Sequence, residues 1–412
     1  MLNSFSFVFL AALLLMLALR LWLARRQIAH VIAHRNAVPT GFADRIDLAA
    51  HQKAADYTVA RTRCGRLGLF VEVALLLAFT FGGGLQALHE FWSARLDGLA
   101  YGVALIFSFT LLSAMVDLPL SIYRQFVIEE RFGFNRMTPK TFLGDLLKQA
   151  ALAIVIGTPV LLAVLWLMEK MGDRWWLYVW LFWCAFNLLL LFAYPTWIAP
   201  LFNKFVPLDD KPLRARVEAL LARCGFSSSG LFVMDGSRRS SHGNAYFTGF
   251  GKTKRIIFFD TLLSRLQTAE VEAVLAHELG HFKHRHIVKR IVLLFALSLA
   301  FLALLGQLID ADWFFGGLGV DAQNTALGLL LFLLAGPVFT FLLTPVMSFL
   351  SRRDEFEADR YAAAHASAHD LAMALVKLYE DNAVTLTPDP LHSLFYDSHP
   401  PANLRIARLR EA

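Results

Sequence analysis

Long apolar stretches alternate with polar, often basic segments along most of the chain. A helix needs about 18 apolar residues or more to cross the ~30 Å hydrocarbon layer of a membrane. Stretches of that kind lie near residues 4–23, 67–90, 98–121, 147–168, 176–198, 288–308 and 326–349. The pattern therefore predicts seven transmembrane helices.

The longest polar interval, residues 199–287, has a mixed pattern. An amphipathic helical segment begins near Pro212, and strand-like runs follow at residues 231–234, 244–247 and 255–259. A second helical pattern begins at Thr268 and runs toward the sixth span. We therefore expect an all-α membrane protein that carries a small α+β insertion between its fifth and sixth spans.

The distribution of Lys and Arg predicts the orientation of these spans. The segment after the first span contains Arg25, Arg26, Arg35, Arg45, Lys53, Arg61, Arg63 and Arg66, and the segment after the third contains Arg124, Arg131, Arg136, Lys140 and Lys148. The links after the second, fourth and sixth spans hold few basic residues or none. Because cytoplasmic loops are rich in Lys and Arg, the N-terminus should lie outside, with residues 199–287 and the C-terminal tail in the cytoplasm.

These patterns divide the chain into four parts. Residues 1–198 hold transmembrane helices one to five and their cytoplasmic loops, and residues 199–287 form the cytoplasmic insertion. Residues 288–350 hold helices six and seven, and residues 351–412 form a cytoplasmic C-terminal region.

Composition agrees with a membrane protein and narrows the partners. Of 412 residues, 57% are hydrophobic and 17% are charged, whereas soluble proteins carry about 25% charged residues. The net charge of +6 is explained by loop topology and by anionic membrane lipids, so we expect no nucleic acid and no obligate protein partner. Cys64, Cys184 and Cys224 are far apart and predict neither a disulfide framework nor a thiolate metal site.

Residues 277–281 read His-Glu-Leu-Gly-His, the pattern H-E-x-x-H. Residues four apart share one face of a helix, so His277 and His281 can bind the same metal ion. Glu278 is then placed to act on a water molecule beside that ion. The pattern predicts a zinc site that hydrolyses peptide bonds.

A third ligand is expected after the seventh span. Glu355 and Asp359 are four residues apart and share a helix face. One of the two carboxylates can bind the metal while the other accepts a hydrogen bond from a ligand histidine. The alternative is a solvated acidic start of a helix just inside the membrane.

Together with these residues, several other segments resemble the type I CAAX prenyl proteases, which are integral-membrane zinc endopeptidases. The similarity continues from the histidine motif into Phe282-Lys283 and includes Glu355-Phe356-x-Ala358-Asp359. It also covers residues 38–39, 51–58, 130–135, 199–205, 240–247 and 398–401, in order along nearly the whole chain. The resemblance implies helices that enclose a large chamber, with the zinc site at its wall.

The resemblance also implies a role for each site residue. Zinc, one ion per chain, would be bound by His277, His281 and Glu355, with Glu278 as the general base. Asp359 would support a ligand histidine. His399 and Arg405 would contact the substrate and its oxyanion. An extended peptide or protein substrate, possibly lipidated, would pair with an edge strand at Asn244 and Ala245.

Four other histidines have simpler interpretations. We expect His284 and His286 to belong to a cytoplasmic basic stripe rather than to a second metal site. A turn or structural hydrogen bond is favoured for His242 beside the edge strand. His392 is a less favoured candidate for the site.

Two alternatives to a prenyl-protein protease stay open. One is a membrane quality-control protease of the heat-shock type, which shares the H-E-x-x-H motif. The other is a non-catalytic chamber that binds lipidated or stalled chains. The Ala-, Leu- and Arg-rich composition favours a bacterial member and hence a bacterial inner membrane, with the endoplasmic reticulum membrane expected for a eukaryotic one.

Overall fold

The computed structural model describes residues 2–248 and 254–411, most of which are helical. The first helices are α1 (Ser4–Ala33), α2 (Leu48–Phe79), α3 (Gly84–Ser93), α4 (Gly98–Tyr123), α5 (Pro139–Lys170), α6 (Trp175–Ala193) and α7 (Ala199–Phe202). Next come β1 (Phe205–Pro207), α8 (Lys211–Arg223), β2 (Ser228–Met234), β3 (Ala245–Thr248), β4 (Lys254–Phe259), α9 (Asp260–Leu263) and α10 (Thr268–Lys283). The chain ends with α11 (His286–Leu308), α12 (Asp312–Gly317), α13 (Thr325–Thr340), α14 (Thr344–His365), α15 (Ala368–Asp381), α16 (Pro390–Tyr396) and α17 (Ala402–Glu411).

Within these described ranges, six helical segments are long and apolar enough to cross a membrane, and the bent pair α2 and α3 makes a seventh. The two members of the pair meet at an angle of 51°. The sequence predicted a span over residues 67–90, and within it Gly83 has a φ of +75°, which ends the right-handed helical path. Apart from this bend, the predicted class of an all-α membrane protein with a small sheet is confirmed.

The spans form a closed ring. Each packs against the next in the order α1, α2, α4, α5, α6, α11, α13 and back to α1. Between 6% and 22% of the residues in the apolar windows of α1, α4, α5, α6 and α11 are buried. So few buried residues leave little apolar core between these helices, as expected if they enclose a chamber.

Apolar packing is concentrated in two separate places. One core joins the ends of the spans around α3 and α12, and its fully buried members include Phe9, Leu105 and Phe315. The second core joins α8, β4, α10, α14 and α15, with Val217, Phe258 and Leu279 buried in it. The ring is thus closed by side chains at one end, while the second core builds a compact lobe from the insertion and the C-terminal helices.

The lobe contains a four-stranded mixed sheet with the order β1-β2-β4-β3. β2 and β4 are parallel, whereas β1 and β3 pair antiparallel to their neighbours. Ala245 of β3 pairs with Phe258 of β4. Since β3 is the last strand in the order, one of its edges has no neighbouring strand in the described sheet.

Candidate metal centre

The site is built where α10 and α14 cross. A Cβ atom added to Gly280 would lie only 2.9 Å from the Cα atom of Ala358, so this approach requires glycine. Ala358 is fully buried at the contact. α14 passes position 350 without a break, so one helix carries both the end of the last span and Glu355. Direct helix packing therefore sets the distance between the histidine motif and the carboxylates.

At this crossing His277, His281 and Glu355 lie together. The two Nε2 atoms of the histidines are 3.2 Å apart. His277 Nε2 is 3.4 Å from Glu355 Oε2, and His281 Nε2 is 3.4 Å from Glu355 Oε1. His277 and Glu355 are buried, and His281 is half-buried. We call these three residues the donor triangle.

The donor triangle fits a metal ion. Ligand atoms bound tetrahedrally at ~2.0 Å lie about 3.3 Å from one another, and the separations here are 3.2–3.4 Å. Glu355 Oε2 is also buried with no hydrogen-bond partner among the described residues. Because a buried carboxylate oxygen is rarely left without a partner, this atom is suited to bind a cation.

Asp359 and Arg405 hold the ring of His277 from behind. Asp359 Oδ1 lies 2.9 Å from His277 Nδ1. Arg405 donates to both oxygens of Asp359, from Nε at 2.9 Å and from Nη2 at 2.6 Å. Arg405 Nη1 is 3.6 Å from Glu355 Oε2. The fork-shaped guanidinium thus links the two carboxylates of α14 and fixes their orientation.

Arg405 is buried among carboxylates, and its expected contact with the substrate stays a prediction. Its side chain is only 5% exposed, and all three of its nitrogen atoms face Asp359 or Glu355. It therefore contacts the two carboxylates that lie behind the donor triangle. The two carboxylates of α14 attract the guanidinium more strongly than a neutral peptide could.

His286 was expected in a cytoplasmic basic stripe, but the structure places it in a buried position beside His281. It is only 3% exposed, and its Nδ1 atom is 3.0 Å from Nδ1 of His281. On its other side, His286 Nε2 is 3.1 Å from Glu357 Oε2 and 3.6 Å from Asp354 Oδ1. The cause is Arg285, whose φ of 56° turns the chain between α10 and α11. His284, by contrast, has a 40% exposed side chain.

Glu278 and His399 lie beside the donor triangle. Glu278 is half-buried on α10, and burial raises the pKa of its carboxyl, although His277 and His281 oppose the shift. His399 Nε2 is 3.5 Å from Glu355 Oε1, and the His399 side chain is 63% exposed. The site therefore has one weakly acidic carboxyl group and one accessible imidazole.

The edge strand β3 begins at Ala245, directly after Asn244. The backbone oxygen of Asn244 accepts from the N–H of Phe259 in β4, while its side chain accepts from the N–H of Ala245. Asn382 braces the residues just before the strand, because its Oδ1 atom accepts from the N–H of Gly243 at 3.1 Å. These contacts hold the start of β3 in place and leave its outer edge unpaired by another described strand.

The two remaining histidines lie outside the donor triangle. His242 stacks on Phe134 with ring centroids 4.5 Å apart, and its Nδ1 atom is 3.1 Å from Asn382 Oδ1. Such contacts agree with a structural hydrogen bond. His392 lies against Tyr396, with ring centroids 4.7 Å apart, in a separate cavity.

Comparison with known proteins places the two halves of the chain in related families. Residues 27–204 match the family described as CAAX prenyl protease N-terminal, five membrane helices. Residues 207–412 match Peptidase family M48. Together these matches cover nearly the whole chain.

Individual relatives agree with the family matches. The chain is 40% identical to a CAAX prenyl protease 1 homolog of Arabidopsis thaliana, over 72% of this chain and 70% of that one. It is 34% identical to a CAAX prenyl protease 1 homolog of Homo sapiens, over 98% of this chain and 95% of that one. The crystal structure of S. mikatae Ste24p superposes with a TM-score of 0.93 at 30% identity, covering 99% of this chain and all of that one.

The resemblance predicted from the sequence is thereby confirmed, and with it a membrane-embedded, metal-dependent peptidase fold. The motifs that carry it lie on α10 and α14, where the donor triangle is assembled. This chain belongs to peptidase family M48, as a multi-pass membrane metalloendopeptidase of the CAAX prenyl protease 1 group.

Proposed function

We propose that the chain binds one zinc ion through His277, His281 and Glu355 and hydrolyses peptide bonds beside it. The donor triangle carries this proposal: its atoms are 3.2–3.4 Å apart, and one of them is a buried oxygen without a hydrogen-bond partner among the described residues. Two imidazoles and one carboxylate are typical of catalytic zinc, which keeps a fourth position open for water or substrate.

Glu278 is the general base and then the general acid. When bound, zinc supplies a Lewis acid that polarises the scissile carbonyl and lowers the pKa of a water molecule. Glu278 accepts the proton from the attacking water and delivers it to the nitrogen of the leaving amine. A carboxylate can serve as base and then as acid when it lies within hydrogen-bond reach of the attacking water.

His399 and Arg405 have different tasks in this proposal. The exposed imidazole of His399 donates a hydrogen bond to the developing oxyanion, a contribution worth about 10²–10³ in rate. Asp359 accepts a hydrogen bond from Nδ1–H of His277 and so keeps the Nε2 lone pair free for the metal. Arg405 acts through Asp359 and Glu355 as a positioning residue, because its nitrogen atoms are already engaged by them.

The substrate is an extended peptide that pairs with the free edge of β3 at Asn244 and Ala245. Main-chain hydrogen bonds to an edge strand give affinity without requiring a particular sequence. Since the relatives are named CAAX prenyl proteases, we infer a prenylated C-terminal CAAX segment that loses its last three residues.

A paired assay tests this function. The purified protein in detergent is incubated with a farnesylated CAAX peptide and with its unprenylated twin, with and without a zinc chelator. We expect cleavage of the farnesylated peptide that the chelator abolishes. If zinc-loaded protein cleaves neither peptide, quality-control substrates or a non-catalytic chamber replace this proposal.

A variant pair separates chemistry from folding. Glu278→Gln should keep its zinc and lose nearly all cleavage, because the amide cannot accept the proton of the attacking water. Glu218→Gln is the matched control, since Glu218 lies on the surface of α8 in an exposed pair with Arg214. Wild-type turnover by Glu278→Gln would overturn the mechanism.

We also propose that the N-terminus lies outside and that the metal centre and C-terminus lie on the cytoplasmic side, in a membrane where anionic lipids contact the basic loops. Support comes from the alternation of basic segments. Reporter fusions to each terminus test this orientation. The division at residues 198, 287 and 350 and the bacterial origin stay predictions.

A further inference from the structure

A cavity of about 470 Å³ lies between α1, α2 and α16, apart from the donor triangle. Its wall includes Arg20 of α1, Arg61 and Arg66 of α2, and Asp397 just after α16. The volume falls within the range of pockets that hold small ligands or a few residues of peptide. None of the residues assigned above to metal binding or to the edge strand lines it.

The wall of this cavity is positively charged. Its described residues include three guanidinium groups and a single carboxylate, that of Asp397. Arg20 is paired with Glu72 at 3.1 Å and is the only one of the three with an ion pair among residues 2–248 and 254–411. Arg61 lies over the ring of Tyr57, 5.4 Å from its centroid. Guanidinium donors thus remain available for an anion, and their fork shape matches a carboxylate.

The cavity adjoins the substrate path at two points. Asn382 lines the cavity and also accepts from the N–H of Gly243, the residue before Asn244. Asp397 precedes His399 by two residues, so their Cα atoms are at most about 7 Å apart. The cavity therefore lies near the N-terminal end of the edge strand and near the accessible imidazole of the site.

The direction of the peptide connects this charge to the reaction. A substrate that pairs antiparallel with β3 has its C-terminal end at the N-terminal end of the strand, toward Asn382. Three residues after the scissile bond span about 10 Å when extended. We propose that the cavity binds the C-terminal carboxylate of the substrate through Arg61 and Arg66, and so selects bonds three residues from a free C-terminus. This inference rests on the proposed function.

A pair of peptides tests the charge directly. Zinc-loaded full-length protein in detergent is given a farnesylated CAAX peptide with a free C-terminal carboxylate and the same peptide as its C-terminal amide. We expect kcat/KM to be about 10- to 100-fold higher for the acid, because hydrogen bonds between charged groups are lost in the amide. Equal cleavage of both peptides would overturn the inference.

Variants locate the preference. Arg61→Gln and Arg66→Gln should lower kcat/KM for the acid, mainly by raising KM, and leave cleavage of the amide unchanged. Arg63→Gln is the matched control, because Arg63 is exposed on the same helix and does not line the cavity. An equal loss for both peptides in Arg66→Gln would indicate a structural role and contradict the inference.

A lipid phosphate is the competing anion. The rate of cleavage is therefore also compared in phosphatidylglycerol and phosphatidylcholine vesicles. If Arg66→Gln still prefers the acid peptide but is no longer faster in phosphatidylglycerol, the cavity binds a lipid headgroup and the inference is wrong. Failure of the proposed function gives a different result, since the wild-type protein then cleaves neither peptide.

Discussion

His277 and His281 direct their Nε2 atoms to one place, but different groups hold each ring from behind. His277 is supported by the carboxylate of Asp359, which is in turn paired with buried Arg405. His281 is supported by the ring of His286, whose Nδ1 atom faces that of His281 and whose Nε2 atom contacts Glu357. His277 is thus supported by a carboxylate that is paired with an arginine, whereas His281 is supported by a second imidazole.

The difference follows from the two helices that carry the supports. α14 crosses α10 next to Gly280, so its carboxylates reach the first histidine directly. The second histidine lies one turn later, where α10 ends and the chain turns into α11. There the nearest acceptor comes from α11, and Glu357 is contacted only through it. In both histidines an acceptor keeps Nδ1 protonated and Nε2 free for the metal. Asp359 is that acceptor for His277, and His286 is that acceptor for His281.

Both histidines are expected to bind the same metal ion and to be equally necessary for it. His277→Ala and His281→Ala should each abolish zinc binding and all measurable cleavage, because two ligands cannot complete a catalytic site. Elemental analysis of the purified variants measures this. Stoichiometric zinc in either variant would show that the two rings do not share one ion.

The next largest effect is expected from Asp359→Ala. It leaves Arg405 buried without its partner, at a cost of about 3–5 kcal/mol in the free energy of unfolding. It also removes the acceptor of His277, which typically lowers metal affinity about 10- to 100-fold. Thermal unfolding of the metal-free protein and competition with a chelator measure the two losses separately. Asp359→Asn keeps an acceptor oxygen and should lose less of both.

Local spacing in the sequence indicates which side chains of α10 and of α14 lie together at the site. The spacing of His277 and His281 and of Glu355 and Asp359 follows the helical repeat, so which side chains share a face can be read from position alone. The apolar runs likewise located the spans, because length and hydrophobicity decide whether a helix can cross a membrane. These features depend on local periodicity.

The position of His286 depends instead on how the chain turns between α10 and α11. His286 lies in the string His-Phe-Lys-His-Arg-His, which looks like an exposed basic segment. Only the left-handed conformation of Arg285, at a position without glycine, directs His286 back toward His281. The close approach at Gly280 and the engagement of Arg405 by carboxylates are also long-range contacts. Periodicity contains no information about any of them.

A moderate effect is expected from His286→Phe. The substitution keeps a planar ring but removes the acceptor of His281, so zinc affinity should fall about tenfold, at the lower end of the usual range. Stability should change less than in Asp359→Ala, because no charged partner is left buried. His284→Phe is the matched control, since His284 has a 40% exposed side chain and lies 4.0 Å from Glu357. If His286→Phe loses as much zinc affinity and stability as Asp359→Ala, the two supports do not differ in strength.

The smallest effect is expected from Glu357→Gln. The amide oxygen can still accept from His286 Nε2, and Asp354 is a second acceptor only 3.6 Å from the same atom. Glu357 is also partly exposed and shared with Arg353, so solvent can replace much of what is lost. Zinc affinity should therefore change less than about threefold, which corresponds to the weaker end of the net free energy of one hydrogen bond. The double variant Asp354→Asn/Glu357→Gln should approach His286→Phe, and if it remains like wild type, the imidazole of His286 alone supports His281.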